Sequence, residues 1–367
     1  MELSIFNHFK PKKPYYNGYE LLSKMDRFGN KPEIFISTTN RSAGKTTFFS
    51  GYCISRFLNY NEKFCLLFRN KYEIEKGNSV NAIFPAVQKL FFKKLEMKAE
   101  SGLKNVYDNL YIRELSENEN NENPWYHCGY ATTLSASDQI RQFSNMLADV
   151  TRIWFDEFQP ESGKYLPNEV QKFQSIHTSI ARGNGSQSRY VQVIMTANLL
   201  DIYNPYYEAL DVIKDLDIST NYYRGDGFII EQGMNQSSID SHEKSAFNRA
   251  FKKDNYNSVV SERKYVQTNY NMVEKINNLD GIYIFTMYFD SAFYSCRYLD
   301  SLGIYYISER VDLSHSISFA CRKEDSCENA IYVQKSRYKD ILKKKLYCSQ
   351  IRFSSIKARN ALLEFIH

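Results

Sequence analysis

The sequence lacks the features that mark secreted, zinc-binding or membrane-spanning proteins. Its seven cysteines are odd in number and form no C-x-x-C pair, so neither a disulfide framework nor a zinc site is expected. No run approaches the roughly 18 apolar residues of a membrane span, and the first residues lack the apolar core of a secretion signal. These absences favour a soluble cytoplasmic protein with free thiols and no membrane partner.

An excess of charge of one sign is also missing, except at the C-terminal end of the chain. The formal net charge is +5 over 367 residues, and 43% of the residues are apolar against 24% charged, as in ordinary globular proteins. This length suggests two domains, each large enough to bury its own core. From Lys335 onward the chain has nine Lys or Arg residues against Asp340 and Glu364. The excess predicts a basic C-terminal element.

The stretch ISTTNRSAGKTTFF, residues 36–49, is similar to a phosphate-binding loop but lacks the first glycine of that motif. The usual pattern is G-x-x-x-x-G-K-[ST], and Thr39 occupies the position of the first glycine. Gly44, Lys45 and Thr46 keep the second half intact. Because a β-branched residue avoids positive φ, we expect Thr39 to enter the loop in an extended conformation.

Both flanks of this stretch suit a phosphate-binding loop. EIFIST at 33–38 predicts a buried strand before it, and TTFFSGYCISRFLNY after it has helical spacing of apolar residues. In such a loop, backbone N–H groups and the helix N-terminus bind phosphates, the lysine reaches the outer phosphates and the Ser/Thr hydroxyl binds Mg²⁺. Arg41 is placed to clamp phosphates or a carboxylate of the site. The loop residues predicted to bind ATP are Thr39, Asn40, Arg41, Ser42, Ala43, Gly44, Lys45, Thr46 and Thr47.

A second signal for the same chemistry is RIWFDEF at 152–158, about 110 residues after the loop. Its apolar residues predict a buried strand that ends in Asp156 and Glu157, at the strand edge where ligands bind in open parallel sheets. We predict that Asp156 holds Mg²⁺ together with Thr46. Glu157 is predicted to act as the general base on the attacking water.

The first 200 or so residues alternate predicted strands with helical stretches, which favours a parallel sheet with helices on both faces. Further strands are predicted at FCLLFRN (64–70), TRIWFDEF (151–158) and YVQVIMTAN (190–198). The last of these places Thr196 and Asn198 at a C-terminal strand edge, where a polar side chain can sense the γ-phosphate. We therefore include Asn198 among the nucleotide-binding residues.

The chain changes character after about residue 232. Residues 233–258 are polar and have few strand formers, so a linker or lid is predicted there. Three short aromatic strands, GIYIFTMYF, FYSCRYL and GIYYISE, then predict an antiparallel meander followed by the basic helical tail. The predicted divisions are an ATPase domain at 1–232, the linker at 233–258 and a smaller α/β domain at 259–367.

Several basic residues are candidates for contacts with a partner. Arg182 precedes the glycine-rich segment GNGSQS, a position from which it can reach a neighbouring subunit. Arg69 and Lys71 follow a predicted strand and are candidate contacts to nucleic-acid phosphates. The three lysines of the tail, Lys343, Lys344 and Lys345, are candidates for the same role.

IWFDEFQPESGKYLPNEVQKFQSIHTSIAR, followed by VIMTANLLDIYNPYY, resembles the genome-packaging ATPases of phi29-like tailed bacteriophages. The words P-N-E-V and N-P-Y are specific to that family, and the likeness is clear over 33–207. The resemblance implies an α/β fold, with a P-loop ASCE ATPase domain on a mainly parallel sheet and a smaller C-terminal α/β domain of ribonuclease H-like fold. It implies ATP and Mg²⁺ as cofactors.

The resemblance also implies partners and a location. The family forms a homo-oligomeric ring, for which five subunits are expected, at the portal (connector) protein of an empty capsid, and the ring pumps double-stranded DNA inside. The protein is then expected in the host cytoplasm during assembly and at the portal vertex of the procapsid. A structural packaging RNA is a further candidate partner, which Lys343, Lys344 and Lys345 could bind through phosphates.

Individual residues take on family roles as well. Arg182 aligns with an arginine finger that acts in the neighbouring subunit. Arg41 is shared with large terminases, many of which also lack the first loop glycine. In large terminases the C-terminal domain carries a two-metal nuclease, for which Asp290, Glu309 and Asp312 are candidate ligands, whereas the phi29-like proteins have lost that activity.

Alternatives remain open at this point. One is a ring helicase, or a large-terminase-type packaging enzyme whose nuclease is active. Another is a nucleic-acid adaptor that binds ATP without hydrolysing it, although intact Lys45, Thr46, Asp156 and Glu157 argue against it.

Overall fold

The chain divides into two compact units in a computed structural model. The first unit comprises 1–159 and 166–266, and the second comprises 160–165 and 267–367. The predicted linker at 233–258 lies mostly outside the described residues and stays a prediction. The structure describes residues 16–75, 78–116, 123–160, 165–182, 187–200, 204–213, 215–216, 220–233, 239–240, 244–246, 250, 272, 274, 276, 280–289, 291–312, 314–315, 317–348 and 350–366.

The first unit is built on a nine-stranded sheet. Its strands are β1 (Ile34–Thr39), β2 (Lys63–Phe68), β3 (Leu95–Leu103), β4 (Tyr107–Glu114), β5 (Tyr126–Thr133), β6 (Val150–Asp156), β7 (Gln192–Asn198), β8 (Tyr222–Arg224) and β9 (Phe228–Gly233). The order across the sheet is β3-β4-β5-β2-β6-β7-β1-β9-β8. Six consecutive strands in this order are mutually parallel: β5, β2, β6, β7, β1 and β9. Each edge is completed by antiparallel pairing, through β3 and β4 on one side and β8 on the other.

This order gives the additional-strand arrangement that the resemblance implies. Strand β7 lies between β1, which leads into the loop, and β6, which ends in Asp156. Because β1, β6 and β7 are covered on both faces, each contains an uninterrupted apolar run, at residues 34–36, 153–155 and 193–195. The C-terminal ends of all three strands meet at one edge of the sheet.

Helices pack against this sheet. They are α1 (Tyr19–Leu22), α2 (Lys45–Tyr60), α3 (Asn78–Phe91), α4 (Ser137–Ile140), α5 (Glu169–Ala181) and α6 (Pro205–Ala209). On one face, Phe48, Phe49 and Phe57 of α2 belong to one apolar core cluster with Phe35 of β1. Burial of such rings, at about 25 cal/mol per Å² of apolar surface, fixes the helix that starts at the loop against the strand that ends there.

Five strands of the first unit were not predicted. β3 reads LEMKAESGL, whose residues favour helices, yet alternate residues of its first half are buried as in a strand. Pairing of β3 with β4, and of β4 with β5, decides its conformation. The sheet is therefore wider than the sequence patterns indicated.

The second unit is a smaller α/β unit with a six-stranded sheet. Its elements are β10 (Ile282–Phe289), β11 (Ala292–Leu299), β12 (Ile304–Ser308), β13 (Ser318–Ala320), β14 (Ile331–Tyr332), α7 (Arg337–Tyr347), β15 (Ile351–Phe353) and α8 (Ile356–Ile366). Strands β10, β11 and β12 form the predicted antiparallel meander, and β13, β14 and β15 add parallel strands in the order β14-β13-β10-β11-β12-β15. The predicted fold class is confirmed.

All seven cysteines are free thiols in this structure, as predicted. Across the described residues, no helix is both long and apolar enough to span a bilayer.

Candidate active site

The loop between β1 and α2 has the backbone that the sequence predicts. Thr39 is the last residue of β1 and pairs with Asn198 of β7 and Gly233 of β9, so it is extended. Positive φ occurs at Ser42, with φ 62°, and at Gly44, with φ 100°. The loop therefore makes its turns without a glycine at position 39.

Lys45 is folded back over the end of β1. Its Nζ donates to Thr39 Oγ1 at 2.8 Å, to the carbonyls of Thr39 and Asn40 at 3.3 Å each, and to Asn198 Oδ1 at 3.4 Å. Only 6% of the residue is exposed. The hydroxyl of Thr39, the residue that replaces the first glycine of the motif, thus accepts a hydrogen bond from the loop lysine.

Burial lowers the pKa of Lys45 to about 8, although the carboxylates of Asp156, Glu231 and Glu157 oppose the shift. An anionic ligand beside this ammonium would favour its charged form. We predict that the affinity for ATP is constant up to about pH 7.5 and falls up to about tenfold per pH unit above 8, because binding must then add a proton. Titrations of Kd between pH 7 and 9.5 measure this.

Lys45→Arg is the matched control for the pH dependence. An arginine stays protonated over this range, so the Kd of this variant should not change with pH. Equal pH profiles for the parent and Lys45→Arg would contradict the assignment.

The stability of the fold should depend on pH with the opposite sign. The pKa of Lys45 in the folded protein lies below the ordinary 10.5, so the unfolded chain holds this proton to higher pH. The free energy of unfolding should therefore rise between about pH 8 and 10.5.

Asp156 ends β6 beside the first turn of α2. Its Oδ2 accepts a hydrogen bond from Thr46 Oγ1 at 2.8 Å, and its Oδ1 accepts one from Thr196 of β7. Thr196 in turn accepts from Trp154 Nε1 at 3.0 Å. Thr196 is fully buried and its hydrogen bond orients Asp156, and its predicted role in sensing the γ-phosphate stays a prediction.

Glu157 is exposed and follows β6 in a left-handed conformation, with φ 54°. A non-glycine residue in this region costs of order 1–3 kcal/mol and persists only where its surroundings hold it. Three hydrogen bonds do so here: Arg69 Nη1 to the Glu157 carbonyl at 3.2 Å, Arg69 Nη2 to the Phe158 carbonyl at 2.7 Å and the Phe158 N–H to the Thr196 carbonyl at 3.1 Å.

The structure corrects the prediction that Arg69 contacts nucleic-acid phosphates. Arg69 is 8% exposed, and its Nε lies 3.1 Å from Glu169 Oε2 in a buried ion pair. Tyr206 completes the network by donating to Glu169 Oε1 at 2.9 Å. A buried guanidinium with carboxylate and carbonyl partners supports the turn at Glu157 and offers no surface to DNA. The neighbouring Lys71, also predicted to contact phosphates, is half-buried at the start of a short 3₁₀ helix.

This network gives a structural role to the two short motifs P-N-E-V and N-P-Y, which are specific to the family that the sequence resembles. Glu169 is the acidic residue of P-N-E-V, and Tyr206 is the tyrosine of N-P-Y. Glu169 is the first residue of α5, and Tyr206 lies in the first turn of α6. Glu169 binds both Arg69, which follows β2, and the hydroxyl of Tyr206. Neither motif predicted a buried ion pair, because the cation, Arg69, lies 100 residues before Glu169 in the sequence.

Arg182 lies apart from these residues within its own chain. It follows the last residue of α5, as predicted, and is exposed. Since α5 starts at Glu169 beside the Glu157 turn and has 13 residues, Arg182 is about 20 Å along the helix from that turn. It lines a cleft of about 360 Å³ together with Arg141, Asp138, Gln142, Ser144 and Ser179. Arg41 is also exposed, in the loop itself.

The candidate ligands of a nuclease do not form a metal centre among the described residues. Asp290 lies outside them. Hydrogen bonds from Ser354 and Ser355 hold the pKa of Glu309 below its ordinary value even though burial opposes this. The side chain of Asp312 binds the nearby main chain, since its Oδ1 accepts a hydrogen bond from the Ser314 N–H at 3.0 Å. No three His, Cys, Asp or Glu side chains converge in the part of the chain that the structure describes.

The three lysines of α7, which are predicted to bind nucleic-acid phosphates, differ in exposure, and their role stays a prediction. Successive helical residues are about 100° apart, so the side chains diverge. Lys344 is exposed, whereas Lys343 and Lys345 are half-buried, and Lys345 Nζ donates to Gln350 Oε1 at 2.9 Å. Burial lowers the pKa of Lys343.

The site fits a nucleotide and Mg²⁺. A threonine hydroxyl and a carboxylate face each other at Thr46 and Asp156, and oxygen ligands of this kind suit Mg²⁺. Within the described residues, no side chain caps the N-terminus of α2, so its first N–H groups point to the space before the loop. Lys45, Thr46, Asp156 and Asn198 meet at this point, whereas Arg182 does not join them.

Comparisons with known proteins show the family and the fold of this chain. The DNA packaging proteins of Bacillus phage PZA and Bacillus phage phi29 are each 23% identical over 328 residues, which cover 88% of this chain and 87% of each relative. A solved chain of the Phi-28 gp11 DNA packaging motor is 16% identical, covers 97% of this chain and 98% of its own, and has a TM-score of 0.50, so the two share a fold. The family model described as Podovirus DNA encapsidation protein (Gp16) matches residues 11–366. The chain belongs to this family.

Proposed function

We propose that this protein is the ATPase of a viral DNA packaging motor, which couples ATP hydrolysis to translocation of double-stranded DNA into a capsid. The observation that carries the proposal is the 2.8 Å hydrogen bond between Thr46 and Asp156, with Lys45 buried beside it. Lys45 and Thr46 begin α2, after the loop that follows β1, and Asp156 ends β6, in a sheet whose strand order suits this class of ATPase. DNA packaging is also the activity for which the family and the two phage relatives are named.

Each residue has a distinct part in the proposed reaction. Thr46 and Asp156 would hold Mg²⁺, which supplies neutralisation of charge on the phosphate oxygens. The ammonium of Lys45 leaves the carbonyls of Thr39 and Asn40 to bind the outer phosphates. Glu157 orients the attacking water and accepts its proton. Asn198 Oδ1 lies 3.4 Å from Lys45 Nζ, so a change in the bound phosphates would alter the contact between these two side chains.

We further propose that the working form is a ring, with five subunits expected, that assembles at the portal (connector) of the capsid in the host cytoplasm. The exposed Arg182 at the end of α5 supports such a ring because an arginine about 20 Å from its own Glu157 turn can serve a neighbour. The second unit would dock on the portal or on a structural packaging RNA. Its exposed basic groups, including Lys344, support a phosphate-bearing partner.

The direct test measures ATP turnover by the purified protein with and without double-stranded DNA. We expect turnover that DNA stimulates and that Lys45→Ala abolishes, because this variant loses the phosphate-binding cation. ATP binding without turnover in the presence of DNA and Mg²⁺ would instead favour the adaptor alternative. Metal-dependent cleavage of plasmid DNA, lost in Asp290→Ala, would favour the alternative with an active nuclease.

A further inference from the structure

A buried polar cluster lies behind the phosphate-binding loop, and the proposed reaction does not use it. It consists of Tyr16, Ser37 of β1, Tyr222 of β8 and Glu231 of β9. Glu231 is 7% exposed, Tyr16 is 8% exposed and Ser37 is fully buried. A carboxylate buried between strands needs hydrogen-bond donors, and here three hydroxyl groups surround it.

Both oxygens of Glu231 are occupied. Oε2 accepts from the Tyr16 hydroxyl and lies 2.7 Å from Ser37 Oγ, while Oε1 accepts from the Tyr222 hydroxyl at 3.0 Å. Burial and the neighbouring Glu231 raise the pKa of Tyr16 well above its ordinary value. The hydroxyl therefore keeps its proton and continues to donate. The aromatic ring of Tyr16 is fixed as well, since it packs edge-on against Phe48 of α2 with the centroids 5.7 Å apart.

The main chain of Tyr16 contacts the phosphate-binding loop directly. Its N–H donates to the Ala43 carbonyl at 2.9 Å. Ala43 lies between Ser42 and Gly44, the two loop residues with positive φ. In a trans peptide the C=O and the next N–H point in opposite directions, so holding the Ala43 carbonyl towards Tyr16 turns the Gly44 N–H away from it. That N–H belongs to the set that binds phosphates in loops of this kind.

We propose that Tyr16, anchored by Glu231, is a positioning residue that holds the phosphate-binding loop in its ATP-binding conformation before ATP arrives. The inference rests on the proposed function, since it concerns affinity for ATP at the same site. It also offers a physical reason why the loop can keep its shape with Thr39 in place of the first glycine. The segment before β1 supplies a hydrogen bond from outside the loop, at the peptide between its two positive-φ residues.

Tyr16→Phe tests the inference because it removes the hydroxyl and keeps both the ring and the charge of Glu231. If the loop is in its binding conformation for only a fraction of the time, the Kd for ATP rises by the inverse of that fraction. We expect the Kd, measured by calorimetry, to rise about 10- to 150-fold, the range for losing a hydrogen bond to a charged group. The value of kcat at saturating ATP should stay within about twofold, because the bound loop is the same.

Tyr222→Phe is the matched control. It removes a hydrogen bond to the other oxygen of the same carboxylate, but Tyr222 has no hydrogen bond to the loop among those that the structure describes. We expect its Kd for ATP to stay within about twofold of the parent value. Hydrogen exchange in the nucleotide-free proteins is the second measurement, and the peptide covering residues 40–48 should exchange faster in Tyr16→Phe than in Tyr222→Phe or the parent.

Two results would overturn the inference while leaving the proposed function intact. One is an unchanged Kd and unchanged exchange of the loop in Tyr16→Phe, with the parent binding ATP normally. The other is an equal rise of Kd in Tyr16→Phe and Tyr222→Phe, since that would reflect a general loss of stability. A parent protein that does not bind ATP would refute the proposed function instead.

Discussion

Glu157→Gln is expected to bind ATP with about the parent affinity and to lose roughly 10²- to 10⁴-fold in turnover, the range for a general base. The amide keeps the size of the side chain and loses only the capacity to accept a proton. The residue is exposed and its main chain is held by Arg69, so stability should change by no more than about 0.5 kcal/mol. ATP affinity and single-turnover hydrolysis, measured on the same preparation, separate binding from chemistry.

Glu157→Asp is the matched control for this prediction. It keeps a carboxylate but shortens it by one methylene, and aspartate tolerates the left-handed backbone at this position. We expect turnover between those of Glu157→Gln and the parent. Hydrolysis by Glu157→Gln at the parent rate would show that another group activates the water, and the role proposed for Glu157 would then be wrong.

Four strands buried on both faces were predictable because burial selects apolar residues along a strand, although β9, which is buried in the same way, was missed. β1, β2, β6 and β7 are apolar runs that end at polar residues, and the predicted positions agree with the structure to within about two residues. β3, β4 and β5 were missed because the pairing of one strand with the next, which is not local, determines their conformation. The same holds for the short strand β8 at the other edge.

The meeting of Lys45, Thr46 and Asp156 was predictable for a different reason. Residues that follow parallel strands of one sheet lie at the same edge, and only β7 separates β1 from β6, so two local motifs were enough to place these residues together. Asn198 was predicted at the same edge for the same reason, and its Oδ1 lies 3.4 Å from Lys45 Nζ. The contact of Arg69 with Glu169, which spans 100 residues, was not predictable in this way.

Arg69 shows why a charge at a strand end is ambiguous. Asn70 and Lys71, which follow it, are polar, so a solvent-exposed position was the natural interpretation, and a contact to DNA phosphates followed from it. The structure instead places its guanidinium between Glu169 and the carbonyls of Glu157 and Phe158. Burial of an arginine depends on an acidic partner distant in sequence, and no local pattern reveals that partner.

Arg182→Ala is expected to keep ATP binding and to lose about 10³- to 10⁵-fold in turnover, the contribution of an arginine finger that neutralises charge on the transferring phosphoryl group. A cation at the end of α5 cannot act on its own site without crossing the length of the helix, about 20 Å from Glu169 to Arg182. It is therefore expected to complete the site of the neighbouring subunit. Arg182→Lys, which keeps the charge without the planar fork, should recover only part of the rate.

Mixing two inactive variants distinguishes action in the neighbour from action within one subunit. In a ring that contains both Arg182→Ala and Glu157→Gln subunits, an Arg182→Ala subunit keeps its own Glu157 and can receive the arginine of a Glu157→Gln neighbour. In a random 1:1 mixture about one interface in four is of this kind, so turnover should return to well above that of either variant alone. An arginine that served its own subunit would restore nothing, since every subunit would then lack one of the two groups. Native mass spectrometry of the mixture verifies that the rings are mixed, and mixed rings without any recovered turnover would refute the assignment of Arg182 to the neighbour's site.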